Sequence, residues 1–352
     1  MTTSRTAEGP TASSAATPPP APRTPRRRTT SGPGVLLERF GLLILFVALI
    51  VLFVALRPGT FATGANFRAI AISQSVLAVA ALALMLPLVG GRFDVSVGAN
   101  LGLCSIVTAS LMSRFGLPLP LAILGALVVG GLIGALNGAV VAYLGVNSII
   151  ATLGVGTVIG GLVTAYTQGV PISSGLSPAL ARISTQLVAG LPVLFVIMIV
   201  IAVVTWFVLT QTPFGRHLAA VGSNAAASRL TGLRVSRLVL LSFVGSGLLA
   251  GLAGVLQVGA QGNGDPTIGG LPFILPALAA VFLGATTWHP GTYNVPGTIL
   301  GLFFLGTTIS GLTLLGVQPW VTDVFNGGAV VLAIVFSAQL KRRRTGFLDI
   351  GS

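Results

Sequence analysis

The sequence predicts an all-α integral membrane protein of about ten transmembrane helices, with an inverted internal repeat relating spans two to five to spans seven to ten. Three observations carry this. Of 352 residues, 53% are apolar and only 7% charged, whereas about a quarter of a typical soluble domain is charged. One span needs roughly 20 apolar residues, so the apolar content supplies about nine or ten. Finally, the chain matches itself without gaps at a shift of 171 residues, which lays Gly91 on Gly262. The composition excludes a soluble globular enzyme and a disordered protein. The net charge of +13 would suit nucleic acid, but the bases sit at the ends of apolar runs, which excludes that partner. The single Cys104 excludes a disulfide framework or a cysteine zinc site.

Residues 1–38 read as a disordered basic tail, rich in Ser, Thr, Pro and Ala and carrying Arg23, Arg26, Arg27 and Arg28. The stretch does not read as a signal peptide, because the apolar run begins late and no small-residue cleavage site follows it. A transmembrane domain over 39–340 follows, with spans near 40–57, 69–89, 95–113, 118–143, 148–167, 191–210, 238–260, 272–288, 295–315 and 321–340. Residues 341–352 read as a basic C-terminal tail. With both termini cytoplasmic, 15 of the 19 basic residues fall on inner segments. Only Arg57, Arg68, Arg114 and Arg182 fall outside. That bias supports the orientation and an even number of spans. Small residues such as Gly130, Gly131, Gly134 and Gly138 allow close helix packing in lipid.

The repeat lays Gly91-Arg-Phe-Asp94-Val-Ser96-Val-Gly98 on Gly262-Asn-Gly-Asp265-Pro-Thr267-Ile-Gly269, and Leu144 to Asn147 on Leu315 to Gln318. The predicted topology puts Asp94 inside and Asp265 outside, so the halves are inverted, an arrangement that suits alternating access to one site. Gly90 and Gly91 permit a sharp turn. Asp94 and Ser96 can cap the next helix, and a carboxylate suits its positive end. Gly90, Gly91, Asp94, Ser96 and Gly98 are thus gate or turn candidates, with Asp265, Thr267 and Gly269 as their outer counterparts.

The longest inner connection, 211–237, holds Phe214-Gly215-Arg216 and the run Ala220 to Gly232. Ser223 or Asn224 can cap a short helix through Leu230 that Gly232 ends, giving a surface on which a cytoplasmic partner could dock. No acid lies mid-span, so an ion or proton pathway is not expected. The polar residues that could face a pathway are Ser73, Gln74, Ser75, Asn100, Asn137, Thr152 and Gln257, each of which can equally bond between helices. His217 and His289 have no metal-ligand company, and no metal site is expected.

With these motifs in view, the chain resembles the membrane (permease) subunit of bacterial ABC importers of the ribose and related monosaccharide type. The resemblance rests on Gly90 to Gly98, on Asn137-Gly138, on Ile150-Ala151-Thr152-Leu153-Gly154, on Phe214-Gly215-Arg216 with Ala220 to Val235, and on Ser246 to Gly254. It covers about residues 40–340. Two places depart from the family pattern. Arg92-Phe93 replaces one apolar residue, and the connection from Thr286 to Thr298 is unusual.

The resemblance implies a permease that dimerises with a second copy or a paralogue in the bacterial cytoplasmic membrane. A cytoplasmic ABC ATPase would bind at Phe214, Gly215, Arg216, Gly222, Asn224, Ala225 and Arg229, and an extracytoplasmic solute-binding protein would deliver the cargo. ATP and Mg would be held by the ATPase and no cofactor by this chain, which has no phosphate loop of its own. It would be no enzyme. The expected cargo is a monosaccharide or similar neutral solute. An ion-coupled secondary transporter, or a permease for nucleosides or branched-chain amino acids, is the alternative.

Overall fold

A computed structural model describes residue 2, residues 33–288 and residues 290–345. Most of the expected N-terminal tail, His289 and residues 346–352 lie outside the described residues. The elements run α1 (Pro33–Leu56), α2 (Gly64–Val89), α3 (Val97–Ser113), α4 (Leu119–Tyr143), α5 (Ser148–Thr167), α6 (Pro178–Thr185), β1 (Leu187–Val188), β2 (Leu191–Pro192), α7 (Val193–Gln211), α8 (Pro213–Ser223), α9 (Ala225–Leu230), α10 (Val235–Gln261), α11 (Gly270–Gly284), α12 (Val295–Leu314) and α13 (Pro319–Thr345). The first helix thus starts within the stretch expected as tail, and the last runs into the other.

Helix starts follow local chemistry. Thr63 caps α2 by accepting from Asn66 N at 3.2 Å. Asn147 caps α5, accepting from Ile149 N at 2.9 Å. Asn294 caps α12, accepting from Gly297 N at 2.8 Å. Each cap satisfies a backbone donor that the first turn leaves free.

Among the described residues six helices are long and apolar enough to cross a membrane: α2, α4, α5, α7, α10 and α12. Four further apolar stretches are shorter, at Phe40–Leu56, Val97–Ser113, Phe273–Gly284 and Pro319–Val335. The expected span 272–288 is the clearest difference. It is the 15-residue α11, about 22 Å long at 1.5 Å per residue against a hydrocarbon layer of about 30 Å. The reason is tertiary. α11 starts two residues before the expected bound and stops four residues short of its end, at Gly284, where a Cβ would meet Thr298 N of α12 at 2.3 Å. The segment from Gln168 to Gly190, read from sequence as a plain connection, carries α6 and leads into the hairpin of β1 and β2, in which Leu187 pairs with Pro192. Ile172 and Gly264 exchange backbone bonds of 2.9 Å, which tie this segment to the second Asp motif.

The core centres on α2 and α10. Alanines 78, 80, 81 and 83 on α2 and Ala250 and Ala253 on α10 are buried together with Leu82, Met85 and Leu302. The closest crossing is α4 on α10. Gly130 and Gly134 face Gly247 and Gly251, both at the four-residue spacing that lets helix backbones approach in lipid. A Cβ at Gly247 would lie 2.2 Å from Gly130 O, and one at Gly134 2.3 Å from Phe243 O. Since the obstacle is backbone, no rotamer change relieves it. Gly247→Leu is therefore expected to destabilise the bundle by roughly 2 kcal/mol or more, visible as a lowered melting temperature of the detergent-solubilised protein. Gly160→Leu, where a Cβ meets nothing within 4 Å, is the control that should not.

Candidate functional site

The inner connection folds as two helices. The expected short helix is α9, with Asn224 Oδ1 accepting from Ala227 N at 2.9 Å as its cap and Gly232 at φ +84° beyond its end. The sequence reading missed α8. Its start is set by Thr212, whose Oγ1 accepts from Gly215 N at 3.4 Å, with Pro213 at the first helical position, where a missing N–H costs nothing. Its buried face is Gly215, Leu218 and Val221. That three-residue spacing was the available signal, diluted by the alanines around it.

The glycines of α8 are contact points. A Cβ on Gly215 would meet Leu209 O at 2.1 Å, so α8 folds tightly against the end of α7. A Cβ on Gly222 would meet Val89 O at 2.0 Å and Gly91 N at 3.0 Å. From the other side, a Cβ on Gly90 would meet Leu218 Cδ1 at 2.8 Å. The two motifs that stood apart in the sequence, Gly90-Gly91 and the 211–237 connection, thus touch backbone to backbone. Gly91 takes φ +72° to make this turn, a region open to glycine at little cost. Arg216, Asn224 and Arg229 are exposed, whereas Phe214 and Ala225 are half-buried. Leu230, which the sequence reading did not single out, is 90% exposed at the end of α9.

Behind this contact lies a buried polar network. Asp94 is 3% exposed. Its Oδ1 accepts from Ser96 N at 3.1 Å and from Ser96 Oγ at 2.6 Å. Its Oδ2 accepts from Ser246 Oγ of α10 at 3.0 Å. Burial pushes the carboxyl above the usual carboxylate range, against the pull of the Ser96 and Ser246 hydroxyls. Asn137 of α4 donates from Nδ2 to Ser96 Oγ at 2.7 Å. From α5, Ser148 Oγ accepts from Phe93 N at 3.1 Å and Thr152 Oγ1 accepts from Val95 N at 2.9 Å. One turn is thereby fastened to α4, α5 and α10. Ser148 and Ser246 were missed by the sequence reading, because a serine in an apolar helix carries no mark of its partner.

The outer motif has the same local turn. Asp265 Oδ1 accepts from Thr267 N at 2.8 Å and from Thr267 Oγ1 at 2.7 Å. Gly262 has φ +73°, close to that of Gly91. Here, however, Asp265 is half-buried and Thr267 exposed. The two motifs touch, since a Cβ on Gly269 would lie 2.7 Å from Gly98 O.

The pathway candidates divide. Thr152 and Asn137 belong to the network. Asn100 donates from Nδ2 to Gly130 O at 3.2 Å, binding α3 to α4. Ser75 is buried and donates to Ala71 O of its own helix at 2.5 Å. Gln257 is also buried. Gln74 packs on Gly306, and its Nε2 donates to the exposed Ser73 Oγ at 3.3 Å. A cavity of about 570 Å³ opens beneath α8, lined by Val89, Gly91, Phe93, Gly222, Ser223 and Tyr293. Phe93, from the departure in the first motif, stacks at 6.3 Å on Phe282, which meets Tyr293 at 5.8 Å. The unusual residues before α12 thus close the far wall of this cavity. The arrangement offers a backbone contact between α8, part of which is exposed, and the turn between α2 and α3.

Residues 66–334 match the family described as branched-chain amino acid transport system permease components. The chain is 33% identical over 305 residues to the ribose import permease protein of Haemophilus influenzae, covering 85% of this chain and 94% of that one. It is 28% identical to the D-allose transport system permease protein of Escherichia coli, covering 87% and 93%. It is 29% identical to an autoinducer 2 import system permease protein of Yersinia enterocolitica, covering 85% and 92%. No solved structure matches.

Proposed function

The chain belongs to this family of transport-system permease components, and from that membership we propose that it forms the channel of an ATP-driven importer for a monosaccharide or similar neutral solute. It is a permease and not an enzyme, multi-pass in the bacterial inner membrane. In this reading ten helices cross the membrane with both termini cytoplasmic, and ATP and Mg are held by a separate ATPase. The observation that carries the reading is the backbone contact of α8 with the Gly90-Gly91 turn. A cytoplasmic subunit that moves α8 must move the turn, and with it the helices the Asp94 network fastens.

The halves of the bundle support an inverted repeat. Shifted by 171 residues, Gly64 falls on Val235, Ser113 on Gly284, Tyr143 on Leu314 and Ser148 on Pro319, so four of the eight bounds of α2 to α5 coincide with those of α10 to α13, and the starts of α11 and α12 come two and five residues late. A second permease is placed against α5. Its outer face exposes Gly154, Thr157, Gly161 and Thr164 at alternating spacings of three and four residues, a small and neutral polar stripe suited to line a sugar path rather than lipid. The cargo follows the relatives, which are named for ribose, allose and autoinducer 2. A solute-binding protein on the outer side completes the system.

The test joins co-purification with uptake. A tagged chain is expected to retain an ATPase, and its membranes to accumulate labelled ribose or allose only with ATP. Arg216→Glu combined with Arg229→Glu is expected to leave the protein inserted while at least tenfold less ATPase stays bound. Those arginines are exposed, so reversing two charges costs the fold little but opposes an acidic docking surface. Full retention of the ATPase by the double variant would refute the docking assignment.

A further inference from the structure

The repeat shift pairs more than the two aspartates. It lays Ser75 of α2 on Ser246 of α10. Ser246 Oγ donates to Asp94 Oδ2 at 3.0 Å. The corresponding outer pair would be Ser75 with Asp265. That bond is not made. Ser75 donates to Ala71 O, and among the described residues the Asp265 carboxylate is bonded only by its own Thr267. The local turns are the same, with Oδ1 taking one N–H and one hydroxyl in each. The inner turn is also bonded by Asn137, Ser148 and Thr152, and the outer one, among the described residues, by none of their counterparts Thr308, Pro319 and Asp323. Of the inner cross-helix bonds, the one from Ser246 is the one whose outer counterpart keeps the same residue type.

We propose that Asp94–Ser246 and Asp265–Ser75 form a reciprocal latch, one made while the other is open. The proposal rests on the inverted-repeat reading above. Gly98 and Gly269, residues related by the same shift, touch each other, as related points do only near the axis relating the halves. A rearrangement that exchanges the two sides about that axis opens the inner pair and brings Asp265 to Ser75. The Ser75 hydroxyl then exchanges one acceptor for another. A hydroxyl bonded back to its own helix can do so without leaving a buried polar group unpaired. Each open carboxylate keeps its two bonds within the turn. The latch therefore biases two states without locking either, and one such hydrogen bond shifts a balance by about tenfold.

Disulfide trapping in membranes containing the whole importer tests this. Cys104 is the single cysteine and is buried, so introduced pairs are read without interference. Asp94→Cys with Ser246→Cys, and Asp265→Cys with Ser75→Cys, are each oxidised without nucleotide and after trapping with ATP and vanadate. The expected result is exclusive: each pair crosslinks in the state where the other does not. Crosslinking of the outer pair in neither state, or in the same state as the inner pair, would overturn the latch. Should the Asp94 variant fail to fold, Ser75→Ala decides. Its only bond here is to its own helix, so a structural role predicts unchanged ATP hydrolysis by the complex. The latch predicts a fall of about tenfold with an unchanged melting temperature. Unchanged hydrolysis in Ser75→Ala overturns it. An importer reading that is itself wrong shows differently, as a wild-type chain that retains no ATPase.

Discussion

Gly222→Val is expected to abolish ATP-driven uptake while leaving the chain in the membrane. The position is half-buried on α8, and its neighbours are backbone atoms of the α2–α3 turn, Val89 O and Gly91 N. Even a Cβ would lie 2.0 Å from Val89 O, and valine adds two methyls and stiff χ1 preferences. Neither wall can rotate away, so α8 must lift. Overpacking of this kind costs about 1–3 kcal/mol, borne at the periphery, so the membrane bundle should persist. The backbone contact through which, on the proposed function, α8 moves Gly91 is lost. Uptake by purified, reconstituted importer should fall by more than about 100-fold, as expected when a contact of the moving parts is broken rather than trimmed. Gly232→Val lies in the same connection with no atom within 4 Å of its Cβ. It should cost a strain of about 1–3 kcal/mol for a valine at positive φ, without obstructing the contact with Gly91. Equal loss of uptake in the two variants would show that Gly222 matters for its flexibility and not for the contact.

Asp94→Ala should be the most destabilising single change. It leaves the hydroxyls of Ser96 and Ser246 and the N–H of Ser96 without their acceptor, all in a site closed to solvent. Each orphaned buried donor costs about 1–3 kcal/mol, partly relieved by local rearrangement, and the members of such a network are worth more together than singly. A loss of roughly 3 kcal/mol is expected, read as a large fall in melting temperature in detergent. Asp94→Asn keeps one acceptor oxygen and the volume and should lose less than half as much. Asp265→Ala, which breaks only bonds within a half-exposed turn, should cost under about 1 kcal/mol. If the Asp94 and Asp265 variants melt alike, the network does not stabilise the bundle.

Several features were legible because they depend on order along the chain alone. The cap at Asn224, the turn at Gly91 and the end of α9 before Gly232 each follow from a residue and its near neighbours. The number of full-length spans was harder. Hydropathy reads 272–288 as one apolar stretch, but the helix ends at Gly284, where its backbone packs on Gly297 and Thr298 of α12. Thr152 and Asn137 looked like candidates for a pathway because polar residues in apolar helices are uncommon. Their partners, Val95 N and Ser96 Oγ, lie 57 and 41 residues away and leave no periodic trace.

The sequence by itself determined the solvent in which this chain folds, the family to which it belongs and the pairing of its two Asp motifs. These rest on composition and on spacings, which survive without coordinates. Tertiary structure alone decided that Gly222 meets Gly91, that Ser246 and not Ser75 holds a carboxylate, and that α3 and α11 begin where the two halves touch. The physical reason is common to all three. Glycine and serine act through what approaches them, and in a bundle of apolar helices that approach is set by packing between segments more than a hundred residues apart.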